Sequence, residues 1–148
     1  MTETPALPTV WRPRTTRIVA YTMAGVIVFG MIVLAVVVPE QYKLVDRVLM
    51  VGFGVFIAWI LHMLARCRVA ADEAGVTVVN AFNTRRFEWP QILDVAMNVG
   101  DPWPTLDLAD GTSIGAMGIN GAEKTRAARQ LGELQALLHT RGEAPDPI

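Results

Sequence analysis

The side chains that most often carry chemistry are few and scattered in this chain. Two histidines, His62 and His139, lie far apart with no companion at metal-ligand spacing, and the single cysteine, Cys67, has no second thiol to pair with. Asp107 and Asp110 are close in sequence, but an alternating strand and its turn account for both. No Gly-x-Ser-x-Gly turn, phosphate-binding loop or Cys-x-x-Cys pair is present. The expectation is a protein that is not an enzyme, with no catalytic residues, no metal and no cofactor. Side chains suited to binding remain. Trp103, between Pro102 and Pro104, reads as an exposed anchor, with burial in a core as the alternative. Arg85 and Arg86 are adjacent on one strand, so they point to opposite faces and make a weak basic patch.

The elements that must position these residues fall into two halves. Ile18 to Val38 and Val48 to Ala65 contain no charged side chain. At about 1.5 Å per residue, either run is long enough as a helix to cross a hydrocarbon core of about 30 Å. An apolar run of that length satisfies its backbone in lipid only as a helix. Residues 18–65 therefore read as a two-helix transmembrane hairpin, closed by the short stretch Pro39 to Arg47. A cleaved signal peptide fits poorly, because the first run is too long and Val36-Val37-Val38 is no small-residue cleavage site.

Arg12, Arg14 and Arg17 precede the first helix and Arg66 and Arg68 follow the second, while Lys43 and Arg47 between them are diluted by Glu40 and Asp46. That asymmetry favours a multi-pass protein of the cell membrane with both termini cytoplasmic. With Trp11 and Trp59, read as members of an interfacial aromatic belt, these arginines form the expected membrane interface. Ala20 with Ala24 and Gly54 with Ala58 are small residues one turn apart, a spacing that lets helices approach closely. They pack the hairpin on itself or meet a partner helix.

The ends of the chain read as a basic tail over residues 1–17 and a flexible tail over 142–148, leaving a small soluble domain at 66–141. Residues 1–68 carry seven basic against three acidic side chains, and residues 69–148 six against eleven. An acidic soluble half argues against nucleic acid, whose binding rests on phosphate neutralisation. This half shows short β-rich segments: Arg68 to Ala71, Val76 to Phe82, Arg85 to Trp89, Leu93 to Val99, and a hairpin around Asp110-Gly111. A three-residue loop, Ala109 to Gly111, sets Leu106 opposite Ile114 and keeps both on one face, with Gly111 left-handed. Asn120 with Glu123 marks a helix start, and Ala127, Leu131, Leu134 and Leu138 form its apolar stripe. The expected fold is a membrane α-helical hairpin plus an α+β domain, a small antiparallel β-barrel or sandwich capped by one C-terminal helix.

The run Ala71-Asp72-Glu73-Ala74-Gly75-Val76-Thr77-Val78, then Arg85-Arg86-Phe87-Glu88-Trp89-Pro90-Gln91-Ile92, Pro102-Trp103 and Leu106-Asp107-Leu108-Ala109-Asp110-Gly111, resembles the bacterial PH-domain family named after low-molecular-weight protein antigen 6. The resemblance implies two membrane helices ahead of a PH-like domain, and little about activity. Lipid-binding PH domains resemble one another in a basic loop between their first two strands. Counting from Arg68, that loop is Asp72-Glu73-Ala74-Gly75, which is acidic and disfavours phosphorylated headgroups. The leading expectation is a membrane-tethered scaffold or binding module, with membrane lipid around its helices and a protein as its partner. An accessory subunit of a larger membrane complex is the second reading, and an anionic-lipid sensor using Arg85 and Arg86 the third.

Overall fold

A computed structural model of the protein describes residues 3–142. The chain divides into two compact units, Arg14–Arg66 and Met1–Pro13 together with Cys67–Ile148.

The first unit is a pair of helices, α1 (Arg14–Val37) and α2 (Leu44–Ala65). Tyr21 meets His62 and Ala35 meets Arg47, the register of an antiparallel hairpin. Both helices are long and apolar enough to cross a membrane. Small residues face inward: Ala20, Ala35 and Gly54 are buried, and a Cβ on Gly54 would sit 3.0 Å from the Met31 side chain. The bulky residues Val26, Phe29, Val36 and Val37 point outward. The connection is shorter than the charge pattern suggested, because Asp46 and Arg47 already belong to α2. The Asp46 carboxylate accepts the Lys43 backbone N–H at 2.9 Å. The Arg47 guanidinium donates to the carbonyls of Ala35 (2.7 Å) and Val38 (3.0 Å), which the end of α1 leaves without helical partners.

The second unit holds two antiparallel sheets and a helix. One sheet has the order β1-β2-β3-β4, from Thr9–Trp11, Arg68–Ala71, Gly75–Val79 and Thr84–Glu88. The other, β5-β6-β7, is built from Ile92–Ala96, Thr105–Leu108 and Ser113–Gly115. The sheets do not join into one ladder, so of the two expected forms, barrel or sandwich, the architecture is consistent with the sandwich. A short 3-10 turn, Gly121–Glu123, leads into α3 (Lys124–Gly142), with the Asn120 side chain accepting the Ala122 N–H at 2.9 Å. Val69, Val76, Val78, Val95, Leu106, Ile119, Leu134 and Leu137 form a core that is under 2% exposed. The long-loop register is met: Leu106 opposes Ile114, and Gly111 has φ of +83°.

The largest departure lies at the N-terminus. Residues 1–17 are not simply a tail. Thr9–Trp11 forms β1, pairing Thr9 with Ala71 and Trp11 with Val69, and α1 already starts at Arg14. The chain thus begins the sandwich, leaves it for the hairpin and returns to complete it. Trp11 is corrected accordingly from an interfacial belt residue to a core residue. It is 3% exposed, with its indole N–H donating to the Glu133 carboxylate at 2.7 Å. A three-residue strand interrupted by a helix-starting proline offers too little alternation to be seen in sequence. Counting from β1, the connection between the first two strands is the whole hairpin, and Asp72-Glu73-Ala74-Gly75 joins the second to the third. Of the expected 142–148 tail, residues 143–148 lie outside the described residues.

Candidate functional site

Three surfaces stand out, two of them carrying the expected interaction residues. Trp103 sits in the connection between β5 and β6 and is 37% exposed. A Cβ on Gly115 would collide with its indole, so the ring rests on β7 through the space a glycine leaves. It is therefore neither a free anchor nor a core residue. The next turn explains its seat. Asn80, at the end of β3, donates from Nδ2 to the Gly115 carbonyl at 2.7 Å and accepts the Met117 N–H at 3.1 Å, pinning the β7 exit beside the β3–β4 turn.

Arg85 and Arg86 are both exposed on β4. Arg86 is engaged, however: its guanidinium lies 2.9 Å from the Asp72 carboxylate and 3.4 Å from Thr77 Oγ1. Asp72 in turn accepts the N–H groups of Ala74 and Gly75, and its carbonyl accepts the Trp89 indole N–H at 3.1 Å. The Ala74 N–H, followed by the Gly75 N–H and Arg86, holds the Asp72 carboxyl below the usual carboxylate range. The Thr112 hydroxyl and N–H do the same for Asp110 in the β6–β7 loop. Both carboxylates serve their own turns. The two-arginine patch is thus reduced by an internal ion pair.

The third surface was not foreseen. An open cleft of about 420 Å³ runs between β5 and the last turns of α3, lined by Ile92, Leu93, Asp94, Gln135, Leu138 and His139. A bulge between Ile92 and Asp94 creates it: Ile92 and Val95 face the core, three residues apart, and Leu93 turns outward at 65% exposure. The Gln135 side chain donates to the Val95 carbonyl at 2.7 Å and ties helix to strand. The Ile-x-x-Val spacing was the one available signal, and it conflicts with the period of two expected of a strand.

The remaining expected residues fall as follows. Arg14 and Arg17 lie at the start of α1, Arg66 caps α2 with its guanidinium 3.7 Å from Met63 Sδ, and Arg68 begins β2. The Arg12 carbonyl accepts a bond from Arg126 at 3.2 Å. Trp59 is half-exposed on α2, its ring 6.1 Å from that of Phe56. Ala24 and Ala58 are half-buried, beside buried Ala20 and Gly54. His62 shares a 3.1 Å hydrogen bond with the Tyr21 hydroxyl, His139 lines the cleft, and Cys67 is buried. Among the described residues no group of three or more His, Cys, Asp or Glu side chains is placed to hold a metal.

Comparison with known proteins gives one family. The family model described as Bacterial PH domain matches residues 66–137, which includes β2 to β7 and most of α3 but not β1. Proteins of Mycobacterium tuberculosis and Mycobacterium bovis, described as uncharacterised, are 31% identical over 142 residues, covering 90% of this chain and 92% of theirs. No solved structure matches the chain significantly.

Proposed function

Because the chain belongs to the bacterial PH-domain family, we propose that it is a non-enzymatic, membrane-anchored module whose PH-like sandwich binds a protein partner at the cytoplasmic face. The observation that carries this reading is the pairing of β1 with β2. One strand precedes α1 and the other follows α2, so both ends of the hairpin are stitched into a single sheet. With the hairpin in a bilayer, both ends emerge on one side, and two short connections hold the domain there.

A domain tethered in this way needs no headgroup affinity for recruitment. The connection where lipid-binding PH domains carry a basic loop is here the anchor itself. Arg86, paired with Asp72, also weakens the lipid-sensor reading. Arg12, Arg14, Arg17, Arg66 and Arg68 flank the ends of the helices, whereas Arg47 at the opposite turn spends its hydrogen bonds on α1. This bias supports cytoplasmic ends. The surface best shaped for a partner is the β5–α3 cleft, with apolar Leu93 beside Asp94 and His139.

An accessory-subunit reading draws on a different face. Gly25, Gly30 and Gly52 have nothing within 4 Å of a Cβ position, so they are open to a further helix, whereas Gly54 is spent on the hairpin's own packing. Co-purification of the intact chain from its native membrane separates the two. Loss of a stoichiometric partner in Leu93→Asp alone supports the module. Loss in a Gly25→Leu/Gly30→Leu variant alone supports the subunit. The absence of any stoichiometric partner overturns both.

A further inference from the structure

The two ends of the sandwich differ in a way that bears on how it meets a membrane. The chain leaves this unit at Pro13 and re-enters it at Cys67, so the end carrying Trp11 and Arg68 is where the helices are attached. Arg68 pairs with Val79, and the turn that follows presents Phe82 at 76% exposure. Asn80 binds this turn to Gly115 and Met117, and Gly118 lies so close to Arg68 that a Cβ would strike its backbone. Gly121 then donates its N–H to the Pro102 carbonyl at 2.8 Å, bringing in the β5–β6 loop. At the tip of that loop Val99 is fully exposed, in a turn fixed by Asn98 and Asp101 and by Gly100 at φ +97°. One continuous strip of backbone, residues 115–121, therefore links Phe82, Arg68 and Val99, with Trp103 against its start.

Single exposed apolar residues are ordinary. Here two of the most exposed ones in the sandwich stand on ordered turns tied to the strip that passes Arg68. The charges agree with this arrangement. Arg12, Arg68, Lys124, Arg126 and Arg129 outnumber Asp101, Glu123 and Glu133 at this end, with Glu123 paired to Arg126 at 3.2 Å and Glu133 to Arg129 at 3.8 Å. The opposite β2–β3 turn carries Asp72 and Glu73, whose partners Arg86 and Arg141 balance them, so that end has no basic excess.

We propose that Phe82 and Val99, flanked by Trp103, form a membrane-docking rim whose tips enter the headgroup region of an anionic bilayer. The rim rests on the membrane-anchor reading and adds that these turns of the sandwich touch the bilayer surface. Aromatic and aliphatic tips suit the interface, and each nearby Lys or Arg adds about 1 kcal/mol at an anionic surface.

The test uses the intact chain in vesicles of mixed zwitterionic and anionic phospholipid, in a Cys67→Ala background. Single nitroxide labels are placed by Phe82→Cys, Val99→Cys, Ala74→Cys and Phe29→Cys. Their collision rates are read with oxygen, which partitions into lipid, and with a water-soluble nickel chelate. The expected oxygen-to-nickel ratio is several-fold higher at 82 and 99 than at 74, and highest at 29. Ratios at 82 and 99 equal to that at 74, with 29 still in lipid, overturn the rim alone. A label at 29 that favours nickel overturns the anchor and the rim together.

Discussion

Valine serves two opposite purposes in this molecule. In the sandwich Val69, Val76, Val78 and Val95 are 0% exposed, whereas in the hairpin Val36 and Val37 are more than 70% exposed and the buried positions go to alanine and glycine. In water, hiding apolar surface rewards the first arrangement at about 25 cal/mol per Å². In lipid that reward vanishes between helices, and close contact of small residues takes over. The contrast is what two regions built for different solvents would display, and it supports the membrane-anchor reading on grounds other than helix length.

Substitutions break or sharpen this contrast, beginning with the largest effect. Trp11→Ala removes a buried indole and leaves Glu133 with only Arg129 beside it. It should lower sandwich stability by about 3–5 kcal/mol, read by denaturant titration in detergent with Trp89 fluorescence as the reporter. Phe29→Ala, also an aromatic-to-alanine truncation but outward on α1, should leave the same titration unchanged. Next, Gly54→Leu should force the hairpin apart at Met31, at a cost of about 1–3 kcal/mol. Gly52→Leu, with open space around it, should be neutral in the same helix-separation assay by paired fluorophores.

Arg47→Ala should free the carbonyls that close α1 and cost about 1–3 kcal/mol, seen as faster amide exchange at residues 35–38. Arg47→Lys should restore part of the protection. The smallest effect concerns pH. Because folding lowers the Asp72 carboxyl, its contribution is complete above the ordinary carboxylate value near pH 4 and declines as pH falls below it. Asp72→Asn should therefore flatten the acid side of the sandwich's stability profile and leave the neutral side parallel to the original.

The same contrast explains what could be read from the sequence. Uncharged runs reveal the hairpin because two long apolar stretches joined by so short a connection leave few alternatives to paired helices, and Leu106 opposite Ile114 followed from the one-face rule for a half-buried ladder. Trp11 was misplaced because its role depends on a strand contributed across the hairpin, a contact no local pattern carries. Leu93 was hidden by a bulge that shifts the alternation by one residue. Arg47 counted as a loop charge, since its value lies in carbonyls on another helix. The candidate surfaces were the least legible part. Trp103 was visible as an oddity between two prolines, but its seat on Gly115, the Asn80 clasp and the β5–α3 cleft all arise from backbone geometry.

The placement of β1 ahead of α1 has a consequence for biogenesis. During translation Thr9–Trp11 leaves the ribosome first, yet its hydrogen-bonding partner β2 is made only after both helices. Where the helices go into the bilayer, the sandwich gains its edge strand only if both of their ends return to the same compartment. A chain with only one helix inserted would keep Trp11 apart from Val69 and leave that edge vacant, so insertion of both helices and completion of the β fold would be read out by one and the same pairing.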